Sequence, residues 1–159
     1  MGNLEIERKF LVASKAYRSE AISEIRIIQG FLNTDPERTV RIRIKGDQGY
    51  LTVKGIGNDS GTTRFEWEKE ISVTEASDLI KLCEPIILDK IRFVVPVGHH
   101  HFEVDEFKGE NEGLVLAEIE LEHEDEQFNK PKWLGAEVTG QVRYYNSQLS
   151  KVPFGQWED

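Results

Sequence analysis

The chain has 159 residues, of which 38% are hydrophobic and 31% charged, enough for one buried core and short for two. Its 20 basic and 29 acidic residues give a formal charge of −9, which argues against a nucleic-acid binder held by a basic surface. One cysteine, Cys83, excludes an intrachain disulfide and a four-cysteine zinc site, and suits a reducing compartment.

Met1–Phe10 mixes Glu5, Glu7, Arg8 and Lys9 without an apolar stretch, so no secretory signal is expected there. Ile6 stands where an N-myristoylation signal wants Ser or Thr. No apolar run reaches the length of a membrane span. The expectation is a single domain over residues 1–159, cytoplasmic, with neither a membrane nor a nucleic acid as partner.

In chain order, Leu4–Val12 alternates, with Glu5, Glu7 and Lys9 on one face and Leu4, Ile6 and Arg8 on the other. Ser14–Ile25 offers Ala16, Ile22 and Ile25 as the apolar side of a helix. Ile27–Asn33 is an apolar strand ended by Thr34-Asp35-Pro36. Thr39–Lys45 alternates Arg41, Arg43 and Lys45 with Val40, Ile42 and Ile44, turns at Gly46–Gly49 and returns as Tyr50–Lys54, a hairpin by spacing. Gly55–Gly61 is a loop, and Arg64–Ser72 sets Arg64, Glu66, Glu68 and Glu70 opposite Phe65, Trp67 and Ile71. Thr74 caps a predicted helix over Glu75–Cys83, with Ala76, Leu79, Ile80 and Cys83 as its buried side and Pro85 beyond its end. Strands follow at Asp89–Val95, His101–Phe107 and Val115–Glu122, then a short turn over Glu124–Lys130 before Pro131. Thr139 caps a C-terminal helix running to about Ser150 and ended by Pro153. Eight strand candidates and few helices predict a mainly β (α+β) fold, an antiparallel sheet closed on itself because closure removes exposed edges.

Collecting the charged face of each strand gathers Glu5, Glu7, Glu66, Glu68, Glu103, Asp105, Glu118, Glu120 and Glu122 with Lys9, Arg41, Arg43, Lys54, Arg64, Lys90 and Arg92. A solvated face with paired charges would produce the same alternation. Two features favour a site. Arg41-Ile42-Arg43 and Lys90-Ile91-Arg92 set long cations side by side, an arrangement an anion would relieve and that suits phosphate oxygens. Glu5-Ile6-Glu7 and Glu118-Ile119-Glu120 each present two carboxylates from the first and last strands, which closure brings together as hard oxygen donors for a divalent cation. Cations for a polyanion and acids for its metal are the parts of phosphoryl transfer.

This ordered set resembles the CYTH superfamily, the triphosphate tunnel metalloenzymes. Glu5-x-Glu7-x-Lys9 matches the family signature, followed in order by Arg41-x-Arg43, Lys54, Arg64-x-Glu66-x-Glu68, Lys90-x-Arg92, Asp105, Glu118-x-Glu120 and Arg143-Tyr144. The compact length is most similar to the small bacterial triphosphatases. The resemblance implies an eight-stranded barrel open at both ends with the charged face inside. It also implies hydrolysis of a triphosphate with Mg²⁺ or Mn²⁺, on a small-molecule polyanion such as tripolyphosphate or an organic triphosphate. Under it, Glu5, Glu7 and Glu120 are metal ligands, with Glu118 and Asp105 for a second metal or a water. Arg41, Arg43, Lys54, Arg64 and Arg92 grip phosphates inside a tunnel that Glu66 and Glu68 also line, and Lys9 and Lys90 are the catalytic candidates. Arg143 either enters the tunnel from a plugging helix to touch substrate or pairs with an exposed acid. Phe31 stands where relatives often carry tyrosine, and a homodimer is compatible with the fold.

Other features point to structure. Neighbouring strand residues face opposite ways, so His99-His100-His101 after Gly98 reads as a hairpin turn and not as a metal site. Cys83 reads as an inert core thiol. Gly55-Ile56-Gly57 lacks the strand-to-helix setting of a nucleotide loop. The reading from sequence is therefore an inorganic triphosphatase. Its rivals are an adenylate cyclase or thiamine triphosphatase of the same superfamily, and a polyphosphate-binding module without turnover.

Overall fold

The computed structural model describes residues 4–158. Nine antiparallel strands run β1 Leu4–Val12, β2 Ser23–Asn33, β3 Arg38–Lys45, β4 Gln48–Gly57, β5 Thr63–Ile71, β6 Leu88–Val97, β7 His100–Phe107, β8 Val115–Glu120 and β9 Leu134–Glu137. Their order is β5-β4-β3-β2-β6-β7-β8-β1-β9, and β5 pairs back onto β1, so β1 to β8 close into an eight-stranded barrel. Closure leaves a seam. One edge of β1 pairs with β5 through Leu4–Ile6, then with β9 from Phe10 to Val12, while its other edge follows β8 from Glu7 to Leu11.

Strand alternation sorts the two faces. Outside, Phe10, Phe93, Val95, Phe102, Val104, Ala117 and Ile119 form a buried cluster covered by Tyr17, from helix α1 (Tyr17–Glu20), and by Trp133. Helix α2 (Val73–Ile80) covers the β2–β3–β4 side, with the Ala76 methyl against the Gly49 backbone. Inside, the charged residues occupy the middle of the barrel. Leu88, Phe107 and Leu116, on the same strand faces as Lys90, Asp105 and Glu118, join Phe31, Val138 and Leu149 in a second buried cluster that fills one end. The expected tunnel open at both ends is thus corrected: the C-terminal segment plugs one end with apolar side chains.

Three helix expectations are also corrected. The predicted helix over Ser14–Ile25 shrinks to α1, because Ile25 and Ile27 belong to the long strand β2. Helix α2 starts two residues early, since Ser72 makes a full capping box with Glu75, which lies three positions on, and Thr74 is already helical. The predicted C-terminal helix from Thr139 is a turn, a 3₁₀ segment Val142–Tyr144 and a single helical turn, α3, at Asn146–Leu149. The four-residue strand β9 had no counterpart in the sequence reading. No helix among the described residues is long and apolar enough to cross a membrane.

Candidate active site

The barrel encloses a cavity of about 280 Å³. It is lined by the acids Glu5, Glu7, Glu66, Glu68, Glu103, Glu118 and Glu120 and the bases Lys9, Arg41, Arg43, Lys45, Lys54, Arg64 and Arg92. The alternation of the charged strands therefore faces inward, and the solvated-face reading fails. Lys90, Asp105 and Arg143 are absent from the lining. Arg143 is exposed at the surface, its guanidinium stacked 3.7 Å over the Trp157 ring.

The cations lie in two zones. Arg41 and Arg43 share the inner face of β3. Arg41 donates from Nη2 to Thr52 Oγ1 at 3.1 Å, while its buried Nε has no hydrogen-bond partner among the described residues. Arg43 donates from Nε to Gln29 Oε1 at 2.9 Å. Burial lowers the pKa of both guanidinium groups; beside Arg43, Arg41 and Arg92 add to it. A buried, unpartnered N–H next to crowded like charges is the setting that an anionic oxygen would relieve. In the second zone, Lys54 Nζ bridges Glu5 at 2.9 Å and Glu66 at 3.5 Å.

The acids show the complementary stress. Burial, then Glu118 and Glu5, push the Glu7 carboxyl up to about 8. Glu120 and Glu66 are also raised, first by burial and then by neighbouring carboxylates. Glu118 behaves differently. Burial opposes its ionisation, but Lys9 at 3.3 Å and Arg92 bring it down to about 2. Registers explain the grouping, because Glu7 faces Glu120, Lys9 faces Glu118, and Glu118 faces Glu103 across adjacent strands. Carboxylates that repel one another in a polar pocket are suited to a hard divalent cation. No three acidic, histidine or cysteine side chains among the described residues are grouped closely enough to hold an ion by themselves.

Below the cavity runs a buried network. Arg92 grips Asp105 with two bonds of 2.8 and 2.9 Å, and Lys90 reaches the same carboxylate at 2.8 Å. Burial alone would raise the Asp105 carboxyl, yet these two cations hold it far below the usual carboxylate range. Burial pushes the Lys90 ammonium down to about 7 against the pull of Asp105. Lys90 also donates to Asn146 Oδ1 at 3.2 Å, which accepts from Gln29 Nε2 at 3.1 Å as well. Asp105 and Lys90 thus sit one layer beneath the lining, as the internal counterion of Arg92 and a tie to the C-terminal plug.

The sequence reading missed Gln29, Thr52, Thr139, Gly140, Tyr145, Asn146 and Ser147, most of them on the C-terminal segment. A buried glutamine inside the apolar run Ile27-Ile28-Gln29 was the one available signal. Phe31, at the position where relatives often carry tyrosine, lines the cavity and packs into the apolar plug.

An antiparallel barrel with a charged interior and an apolar exterior defines a tunnel protein built for a polyanion and its metal. The chain belongs to the CYTH domain family, whose model matches residues 3–153; that family implies a divalent metal. It is 46% identical over 156 residues to an inorganic triphosphatase of Acetivibrio thermocellus, covering 98% of each chain. It is 36% identical over 151 residues to an inorganic triphosphatase of Nitrosomonas europaea, covering 92% of this chain and 96% of the relative. The crystal structure of the inorganic triphosphatase NE1496 superimposes with a TM-score of 0.66 at 33% identity, covering 92% of this chain and 93% of the other.

Proposed function

We propose that this protein is a metal-dependent inorganic triphosphatase, hydrolysing linear tripolyphosphate to orthophosphate and pyrophosphate inside the barrel. The observation that carries the reading is the coexistence, in one small cavity, of crowded guanidinium groups, one with an unpartnered Nε, and mutually repelling carboxylates. A triphosphate–metal complex neutralises both sets at once. The two curated relatives named inorganic triphosphatase support the same substrate.

In this reading Arg41, Arg43, Lys54, Arg64 and Arg92 orient the phosphate chain and stabilise charge gathering on its oxygens in the transition state. Glu5, Glu7, Glu118 and Glu120 are the carboxylates from which the divalent ion, Mg²⁺ or Mn²⁺, would draw its protein ligands. When bound, the ion supplies Lewis-acid stabilisation at the phosphoryl oxygens. The Lys9 ammonium, held between Glu118 and the Tyr144 carbonyl, places a donor at the terminal phosphate beside these acids. Water adds to that phosphorus as the bridging P–O bond breaks; the electron pair of that bond leaves on the pyrophosphate oxygen, and the proton lost by the water ends on a phosphate oxygen of the products. Asp105 and Lys90 act from below: Asp105 fixes the Arg92 fork, and Lys90 ties it to Asn146. The setting proposed is cytoplasmic.

The test is a side-by-side product analysis on tripolyphosphate, ATP and thiamine triphosphate with Mg²⁺ or Mn²⁺. Orthophosphate and pyrophosphate from tripolyphosphate, at the highest kcat/KM of the three, are expected. Cyclic AMP from ATP would make it a cyclase, preferred cleavage of thiamine triphosphate would change the substrate, and binding without products would leave a polyphosphate-binding module.

A further inference from the structure

The seam of the barrel lies at Glu7–Lys9, where one edge of β1 has left β5 and not yet met β9. Thr62 covers its first residue, accepting from the Glu7 N–H at 2.9 Å. Residues 138–145 cover the rest, and they surround Lys9. The Lys9 N–H donates to Thr139 Oγ1 at 2.9 Å, and the Lys9 carbonyl accepts from the Val138 N–H at 2.8 Å. The ammonium donates to the Tyr144 carbonyl at 3.1 Å and stands 5.4 Å from the centre of the Tyr145 ring. Glu118 is its one carboxylate partner within ion-pair distance among the described residues, at 3.3 Å.

That segment is held against the barrel by a contact only glycine allows. Gly61, in the β4–β5 loop, and Gly140 have φ of +77° and +79°, the left-handed region that side chains rarely adopt. A Cβ on Gly61 would lie 2.5 Å from Gly140 Cα, and a Cβ on Gly140 would lie 2.8 Å from the Ser60 carbonyl oxygen. Both obstacles are backbone, so no rotamer change relieves them and the two segments would have to part by about 1 Å to regain ordinary contact.

We propose that residues 138–145 are a strap that positions Lys9 for catalysis, with Thr139 as the positioning residue and the Gly61–Gly140 contact as the latch that holds the strap over the seam. This rests on the triphosphatase reading and on Lys9 acting in it. The strap fixes Lys9 at the backbone and at the ammonium, from a part of the chain about 130 residues away. Displacing a catalytic group by about 1 Å is enough to cost on the order of a hundredfold in rate.

The test is steady-state hydrolysis of tripolyphosphate with Mg²⁺ by Thr139→Val, Thr139→Ser, Gly61→Ala and Gly57→Ala, each also made in a Lys9→Ala background. Thr139→Val should lower kcat about tenfold with KM within about threefold, and Thr139→Ser should restore it. Gly61→Ala should cost more, whereas Gly57→Ala should be near wild type, since a Cβ there meets neighbours at 3.8 Å, an ordinary contact. In the Lys9→Ala background the Thr139→Val loss should vanish, as expected of two residues acting as a unit. If Gly61→Ala fails to fold, the Thr139 cycle decides alone. Inactive wild type would sink the triphosphatase reading, and a fully active Lys9→Ala would sink the role of Lys9. Active wild type, impaired Lys9→Ala and a Thr139→Val loss that persists unchanged in Lys9→Ala would overturn the strap alone.

Discussion

Replacing Asp105 by asparagine separates a structural counterion from a metal ligand. Asp105 is 4% exposed and accepts from both Arg92 and Lys90 at 2.8–2.9 Å. Asparagine keeps the shape, but it offers one acceptor and turns an N–H₂ toward two buried cations. Removing one partner of a buried ion pair typically costs about 3–5 kcal/mol. Glu103 at 3.3 Å and Glu118 at 3.9 Å still face Arg92, which argues for the lower end, about 3 kcal/mol. For a chain of this size that lowers Tm by about 10 °C. The sign of the pH dependence follows from the depressed carboxyl. Its contribution is complete above the unfolded value of 3.8 and is lost as pH falls below it, so the wild-type advantage should shrink in acid. Thermal melts of the ligand-free proteins at pH 7 and below pH 4 measure both. A variant melting within about 2 °C of wild type at pH 7, with its metal requirement shifted instead, would refute the counterion assignment.

Glu7 should behave in the opposite way. Its carboxyl stands near 8 in the folded state against 4.5 unfolded, so it costs the ligand-free protein stability as pH rises from 4.5 to 8. Glu7→Gln should therefore raise the ligand-free Tm at pH 8 more than at pH 4.5 while lowering kcat by about a hundredfold or more, read from melts and kinetics on the same preparation. Arg43→Ala should lower kcat/KM for tripolyphosphate by about ten- to a hundredfold, and Arg43→Lys should not recover it, because an ammonium cannot reproduce the guanidinium fork toward Gln29 and a phosphate together. Unchanged kinetics in both variants would place that side chain outside the reaction. Metal-bound tripolyphosphate at a hundred times its Kd should stabilise the fold by about 2.7 kcal/mol, visible as a shift of several degrees that Arg43→Ala diminishes.

The barrel was legible because its strands alternate over long stretches: Thr39–Lys45 and Arg64–Ile71 declare one charged and one apolar face. Which face pointed inward was not a matter of periodicity, since a solvated sheet alternates in the same way. Order along the chain, from Glu5-x-Glu7-x-Lys9 to Glu118-x-Glu120, supplied that through resemblance. The helix expected over Ser14–Ile25 failed because a few isoleucines fit both periods, and the sheet claimed Ile25 through its register with Arg92. The C-terminal helix failed because Thr139, expected as a cap, accepts from the Lys9 N–H and donates to Glu137 Oε2 at 2.6 Å, and Gly140 turns left-handed against the β4–β5 loop. Asp105 was legible as an acid on the inner face, expected to serve a second metal or a water, but a single sequence does not show that Arg92 and Lys90 both contact its carboxylate. Distances between strands decide that.

The central claim, hydrolysis of tripolyphosphate inside the tunnel by the protein's own carboxylates and cations with a divalent metal, is tested most directly by following tripolyphosphate by phosphorus NMR. Wild type with Mg²⁺ or Mn²⁺ should convert it to equal amounts of orthophosphate and pyrophosphate. Excess chelator should stop the conversion, added metal should restore it, and Glu7→Gln should hardly turn over at any metal concentration. Conversion that continues undiminished in chelator, or at the wild-type rate in Glu7→Gln, would contradict it.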